Sequence, residues 1–177
     1  GAEWTTIDCE GDGRAFDLGS SVTDATVIRG FSIINGSGHR GGGIRLSGSS
    51  PRIEDCFFRH CVAPCEFTGG HTSYSGVGGG IYCGDGSAPV IEGCTFAYCR
   101  ACRGIPGGNE CSGVYVYFSN ATIDRCLFVD CDEDAVRADN STAEVSRSIF
   151  FSNETNGHGW LQDDILNTDA HLCDRGE

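Results

Sequence analysis

Ile53-Glu54-Asp55-Cys56-Phe57-Phe58-Arg59-His60-Cys61 is written again as Ile91-Glu92-Gly93-Cys94-Thr95-Phe96-Ala97-Tyr98-Cys99, and a third time as Ile123-Asp124-Arg125-Cys126-Leu127-Phe128-Val129-Asp130-Cys131. The shared frame is an aliphatic residue, an acid, any residue, Cys, any residue, Phe, two free positions and Cys, without a slip. Fainter copies lie at Ile28-Arg29-Gly30-Phe31-Ser32-Ile33 and at Val145-Ser146-Arg147-Ser148-Ile149-Phe150, where Asn153 takes the last Cys position. Repetition this short marks one small unit stacked on itself, because a single unit cannot bury its own apolar face.

Each repeat has a second half. Gly41-Gly42-Gly43-Ile44-Arg45-Leu46 is echoed by Gly78-Gly79-Gly80-Ile81-Tyr82-Cys83, by Ser112-Gly113-Val114-Tyr115-Val116 and by Ala135-Val136-Arg137-Ala138. Two short strands per repeat are expected, separated by Gly-, Ser- and Asn-rich corners. The glycine triplets read as corner positions that need positive φ. Successive first-column cysteines are 38 and then 32 residues apart, and Cys126 to the equivalent Ser148 is 22. The minimal unit of 22 residues fits one coil of a parallel β-helix. Longer coils carry insertions at Pro64–Val77 and Cys102–Cys111, both at one corner. The expectation is an all-β solenoid of about six coils over residues 1–155, with an irregular closing segment over 156–177. Like side chains then pile up in columns: Ile53, Ile91 and Ile123; Cys56, Cys94 and Cys126; Phe58, Phe96 and Phe128.

The totals exclude several classes. A net charge of −13 comes from 25 acids against 12 Arg, with no Lys. A polyanionic surface repels phosphate backbones, so nucleic acid is not an expected partner, and lysine Schiff-base chemistry is absent. No run of eighteen apolar residues is present, so no membrane-spanning helix is expected. The opening Gly-Ala-Glu-Trp fits a processed or excised chain.

Of twelve Cys, six fall in the two repeat columns and read as small buried apolar groups. Paired metal ligands of the Cys-x-x-Cys kind need a second pair at fixed distance, and Cys99/Cys102 has no matching pair in the sequence. Cys65, Cys102 and Cys111, in the loops, are the candidates to pair among themselves if the compartment is oxidising.

The alternation of Gly-Gly-Gly-Ile-Tyr-Cys with Ile-x-x-Cys-x-Phe resembles the right-handed parallel β-helix repeats of large secreted bacterial surface proteins, over about residues 5–155. The resemblance implies an extracellular or cell-surface location. Those families place Asn where this chain has Cys61, Cys99 and Cys131, so the corner ladder is altered here. Polygalacturonase-type hydrolases of this fold use Asn-Thr-Asp, Asp-Asp and Gly-His-Gly motifs on adjacent coils. Here Gly157-His158-Gly159, Asp163-Asp164 and Asn167-Thr168-Asp169 come in reverse order and close together, a poor basis for two carboxylates flanking one bond. Polysaccharide lyases of the fold use clustered Asp for calcium with an Arg or Lys base. Asp130, Asp132 and Asp134 are the candidate calcium ligands, with Arg137 nearby, and no column of Arg adjoining a column of acids is apparent. No cofactor is otherwise expected.

Asn35, Asn120, Asn140 and Asn153, four of seven Asn, lie in Asn-x-Ser/Thr sequons and are glycosylation candidates. Trp4-Thr5-Thr6-Ile7-Asp8 reads as a strand with no cap before it, and an uncovered strand edge pairs with another chain. These readings converge on a non-catalytic structural or adhesive module, stacking end to end or continuing a longer solenoid. The alternatives are a glycan-binding module using Tyr74, Tyr98, Tyr115 and Tyr117, and a polysaccharide-active enzyme.

Overall fold

A computed structural model describes residues 5–68, 71–74, 76–102, 111–132, 134–153, 155–159, 165–168 and 171–173, with side chains described for 5–65, 76–102, 111–132 and 134–153. Strand β1 (Thr5–Asp8) is followed by β2 (Phe16–Leu18), β3 (Val27–Arg29) and β4 (Phe31–Ile34), then by β5 (Ile44–Ser47), β6 (Arg52–Glu54) and β7 (Phe57–Arg59). An insertion holds β8 (Val62–Ala63), β9 (Glu66–Thr68) and β10 (His71–Tyr74). The winding resumes with β11 (Ile81–Gly84), β12 (Val90–Glu92) and β13 (Thr95–Ala97), then β14 (Arg100–Ala101), β15 (Cys111–Tyr117), β16 (Asn120–Asp124) and β17 (Leu127–Val129). Next come β18 (Asp134–Asp139), β19 (Thr142–Ser146) and β20 (Ile149–Phe151), and finally β21 (Thr155–Gly159), β22 (Ile165–Thr168) and β23 (His171–Cys173).

Three parallel sheets run the length of the stack. Sheet A is β1-β4-β7-β13-β17-β20-β23, sheet B is β2-β5-β11-β15-β18-β21, and sheet C is β3-β6-β12-β16-β19-β22. Each coil therefore has three strands, where two were expected. The reason lies inside the repeat frame. Asp55, Gly93 and Arg125 adopt positive φ (50°, 63° and 51°), so the backbone turns between the Ile and Phe halves and sends them to different sheets. A second left-handed turn falls at His60, Tyr98 and Asp130. Each of these six residues immediately precedes a column cysteine.

The register stacks like on like. Ile28, Ile53, Ile91, Ile123 and Val145 pair in sheet C. In sheet A the inward column is Ile7, Ile33, Phe58, Phe96, Phe128 and Phe150, and Leu172 continues its backbone register. Ile53, Ile91, Ile123, Phe58, Phe96 and Phe128 are fully buried, each contributing roughly 1.5–3 kcal/mol from burial. The glycine triplets divide their labour. Gly41 and Gly78 take positive φ (79° and 67°), as expected for corners. Gly43 and Gly80 instead leave room for the rings, since a Cβ there would lie 2.9 Å and 2.6 Å from Cδ1 of Phe58 and Phe96.

Two features differ from the sequence reading. The segment expected to be irregular from 156 onward carries strands β21, β22 and β23, which pair in parallel register with β18, β19 and β20 and add a coil past the boundary drawn at 155. Its frame is unrecognisable in sequence because Asn167 and Leu172 stand where Ile and Phe stood. The first insertion forms an antiparallel pair, β9 with β10. Of the second, residues 103–110 lie outside the described residues.

Candidate functional site

The column cysteines sit at the corners, where the chain leaves one sheet for the next. The thiols of Cys56, Cys94 and Cys126 donate to the carbonyls of Ile28, Ile53 and Ile91 in the preceding coil at 3.6, 3.5 and 3.6 Å. Cys61, Cys99 and Cys131 do the same to Ile33, Phe58 and Phe96 at 3.7, 3.9 and 3.8 Å. At the end of the second column the Asn153 side-chain amide donates to the Phe128 carbonyl at 3.1 Å, and its oxygen accepts from the Cys131 N–H at 2.9 Å. Cysteine thus performs the asparagine's corner task with a weaker donor. Hydrogen bonding with Cys94, together with burial, pushes the Cys56 thiol well up, and burial does the same at Cys83. Cys99 is pushed up by its contacts with Cys131 and Cys61, whereas the Cys99 contact lowers Cys61. These are stacked core thiols.

The disulfide expectation is met in part. Cys65 joins Cys102, with Cα atoms 5.2 Å apart and a sequence separation of 37. The bond ties together the two corner insertions, whose bases pair as β8 and β14. Cys111 does not take part. It is fully buried on β15, and its thiol donates to the Val114 carbonyl at 3.2 Å.

A ladder of charge absent from the sequence reading runs along sheet C. Glu54, Glu92 and Asp124, the acids of the repeat frame, share one register column. Arginines bridge them: Arg29 and Arg52 to Glu54, Arg52 and Arg125 to Glu92, Arg125 and Arg147 to Asp124. Hydrogen bonds from Arg29 and Arg52 hold Glu54 below the usual carboxylate range, and Arg147 does so for Asp124. Arg125 and Arg147 share one frame position, just before Cys126 and Ser148, but Arg29 and Arg52 come from two others, so no signal periodic over the whole stack announced the column.

Sheet B carries a row of tyrosines. Tyr82 and Tyr115 stack at 5.9 Å, and Tyr115 and Tyr117 at 6.1 Å. The Tyr115 hydroxyl donates to Asp139 at 2.7 Å, while Arg137 reaches Asp139 at 3.1 Å and Asp134 at 3.2 Å. Burial opposes the Arg137 charge, but Asp139 and Asp134 outweigh it and hold the guanidinium above its ordinary value. Tyr98 lies elsewhere, stacked on His60 at 5.3 Å. The Tyr74 side chain lies outside the described residues.

The three candidate calcium ligands are not brought together. Asp132 pairs with Arg100 at 3.5 Å, Asp134 pairs with Arg137, and Asp130 occupies a left-handed corner position. Arg100 and Arg137 engage two of the three separately, and among the described residues no group of three metal-ligating side chains forms. Asp163, Asp164 and Asp169 of the hydrolase-like motifs lie outside the described residues. Among the sequons, Asn120 and Asn140 are exposed. Asn35 donates to Asp8 at 3.0 Å, and the Asn153 amide is engaged in the corner ladder. A depression of about 490 Å³ beside the end of β1 is lined by Asp8, Glu10, Asn35, Ser37 and His60 among others.

Comparison with known proteins agrees with this geometry. The family described as "Right handed beta helix region" matches residues 5–165. No curated protein and no solved structure matches the chain.

Proposed function

Because the chain belongs to the right-handed β-helix family, matched over residues 5–165, we propose that it is a non-catalytic structural module of an extracellular or cell-surface assembly, working as coils stacked with other coils. One observation supports this reading most. The acids of the repeat frame are tied up in a continuous Arg–carboxylate ladder, from Arg29 through Glu54, Glu92 and Asp124 to Arg147. Catalysis of glycosidic cleavage needs carboxylates of divergent pKa held across a cleft; here Arg contacts push the Glu54 and Asp124 pKa values the same way, downward. The test is incubation with a panel of neutral and acidic polysaccharides. No new reducing ends and no unsaturated products are expected, and release of either overturns the reading.

A second reading, a glycan-binding module, draws on the aligned tyrosines of sheet B. Tyr82 and Tyr115 are each only 3% exposed, which leaves Tyr117 and the neighbouring Phe118, 57% exposed, as the accessible aromatics beside that tyrosine row. Affinity electrophoresis in gels containing each polysaccharide discriminates the two. Retardation that Phe118→Ala abolishes favours binding, and unretarded migration favours the structural module.

A further inference from the structure

In a chain of net charge −13, the arginines of sheet C are engaged by the acid ladder, Arg100 by Asp132, and Arg137 by Asp134 and Asp139. One part of sheet B differs. Arg45 on β5 stands in register between Asp17 on β2 and Tyr82 on β11. Arg40, at the corner leading into β5, is exposed and holds its guanidinium 5.8 Å from the centre of the Tyr82 ring. Arg14 reaches the same corner from the preceding coil, its Nη1 donating to the Arg40 carbonyl at 2.6 Å.

Three guanidiniums thus gather where carboxylates are few. Asp17 lies 3.5 Å from Arg45 and 3.8 Å from Arg14, and the nearby Asp85 accepts from the Ser47 hydroxyl at 2.6 Å. Among the described residues Arg40 meets no carboxylate, and the Arg45 Nε–H is buried without a hydrogen-bond partner. Burial holds the Arg14 guanidinium below its ordinary value, with Asp17 opposing the effect and the Arg45 charge adding to it. A buried donor with no acceptor is rare in a folded protein and calls for a cause. Cations gathered this way focus a positive potential even on an acidic molecule. The support beneath them is fixed. A Cβ on Gly84 would lie 2.5 Å from Cε1 of Tyr82, so the ring lies along its own strand over a glycine, stacked with Tyr115.

We propose that Arg40 and Arg45, backed by Arg14, form an oxyanion-binding site on sheet B beside Tyr82, which takes the carboxylate or sulfate group of a ligand. A guanidinium fork offers two parallel N–H donors to the paired oxygens of such a group. Engaging Arg45 through Nε and one Nη supplies the acceptor its Nε–H lacks, and Arg40 contributes a second cation that no carboxylate of the described residues claims. Asp17, set between Arg14 and Arg45, already shows that a carboxylate suits this company. Tyr82 and Tyr115 are too buried to stack on a sugar ring, so the site recognises the charged group and not its carrier. The proposal goes beyond the two readings above and depends on neither.

The test follows the arginine Nε–H resonances by nuclear magnetic resonance while the full chain is titrated with malonate, with sulfate, and with chloride at matched ionic strength. Saturable shifts at Arg40 and Arg45, absent at Arg52 and Arg125, are expected with malonate or sulfate and not with chloride. Saturation by malonate alone identifies a carboxylate ligand, and saturation by sulfate alone a sulfated one; either supports the site. Arg40→Gln and Arg45→Gln are each expected to weaken binding about tenfold, as loss of one charge-assisted contact does. Arg59→Gln is the control. That arginine also meets no carboxylate among the described residues, but it rests on Tyr98 at 5.9 Å, on sheet A, and its loss should leave binding unchanged. Shifts that never saturate, or that chloride reproduces, overturn the proposal. So does binding that both folded variants retain in full, or that Arg59→Gln weakens as much. Should one of the two variants not fold, the other decides.

Discussion

The rings of Phe58 and Phe96 lie 4.7 Å apart and within 5° of parallel. Phe96 and Phe128, then Phe128 and Phe150, repeat the arrangement at 4.8 Å. The ring spacing equals the spacing of paired strands, so the sheet imposes face-to-face stacking although isolated aromatic pairs favour offset or edge geometries. Phe96 has aromatic neighbours on both sides and the Gly80 backbone against its edge. Phe96→Ala is expected to cost about 3–5 kcal/mol, read as a lower urea midpoint. An unchanged midpoint would mean that the column contributes little to stability.

This column was legible in the sequence because strand pairing places equivalent residues over one another, and Phe58, Phe96 and Phe128 keep one frame. The third strand per coil was not legible. It depends on Asp55 and Arg125 taking a left-handed conformation that composition favours only at Gly93. The arginine ladder was hidden for a different reason. Its acids recur in frame, but only Arg125 and Arg147 share a position, while Arg29 and Arg52 approach from two others, and long side chains reaching across coils leave no period over the whole stack. The last coil was missed because sheet pairing tolerates Asn167 and Leu172 at positions where only Ile, Val or Phe had been counted.

The left-handed corners predict an asymmetry among substitutions at Asp55. Gly30 and Gly93 hold the same corner in the coils on either side, at φ 73° and 63°. A non-glycine residue there carries roughly 1–2 kcal/mol of local strain, against about 0.5–1 kcal/mol of unfolded-state entropy that a glycine adds. Asp55→Gly is therefore expected to be neutral or stabilising by under about 1 kcal/mol, while Asp55→Val should destabilise, because a branched Cβ fits that region poorly. Thermal melts of the pair settle it; equal melting temperatures would show that the corner is not strained.

The Cys65–Cys102 bond closes a loop of 37 residues. Chain-entropy reasoning assigns such a loop between about 3 and 4.7 kcal/mol. The double substitution Cys65→Ser/Cys102→Ser should lower the unfolding free energy by that order, and reductant should lower the parent's melting temperature without affecting the variant's. Alkylation after denaturation, without reductant, should leave Cys65 and Cys102 unlabelled and label the column cysteines. A parent that melts identically with and without reductant would show that the two insertions are held by other contacts.

Acid should loosen the sheet C ladder. Glu54 and Asp124 have folded-state pKa values lowered by Arg29 and Arg52 and by Arg147. For a carboxylate whose pKa falls on folding, the stabilisation is fully present above the unfolded value and is lost as pH drops through the folded one. The unfolded values are near 4.5 for Glu54 and 3.8 for Asp124, so stability should be flat above about pH 5 and decline below it. Urea unfolding measured from pH 7 to pH 3 should trace that decline, and Glu54→Gln should shallow it while also lowering the neutral-pH plateau. The arginine partners Arg29 and Arg147 are well exposed, so added salt should compress the whole effect by screening. A Glu54→Gln profile that falls as steeply as the parent's would place the acid sensitivity in other carboxylates.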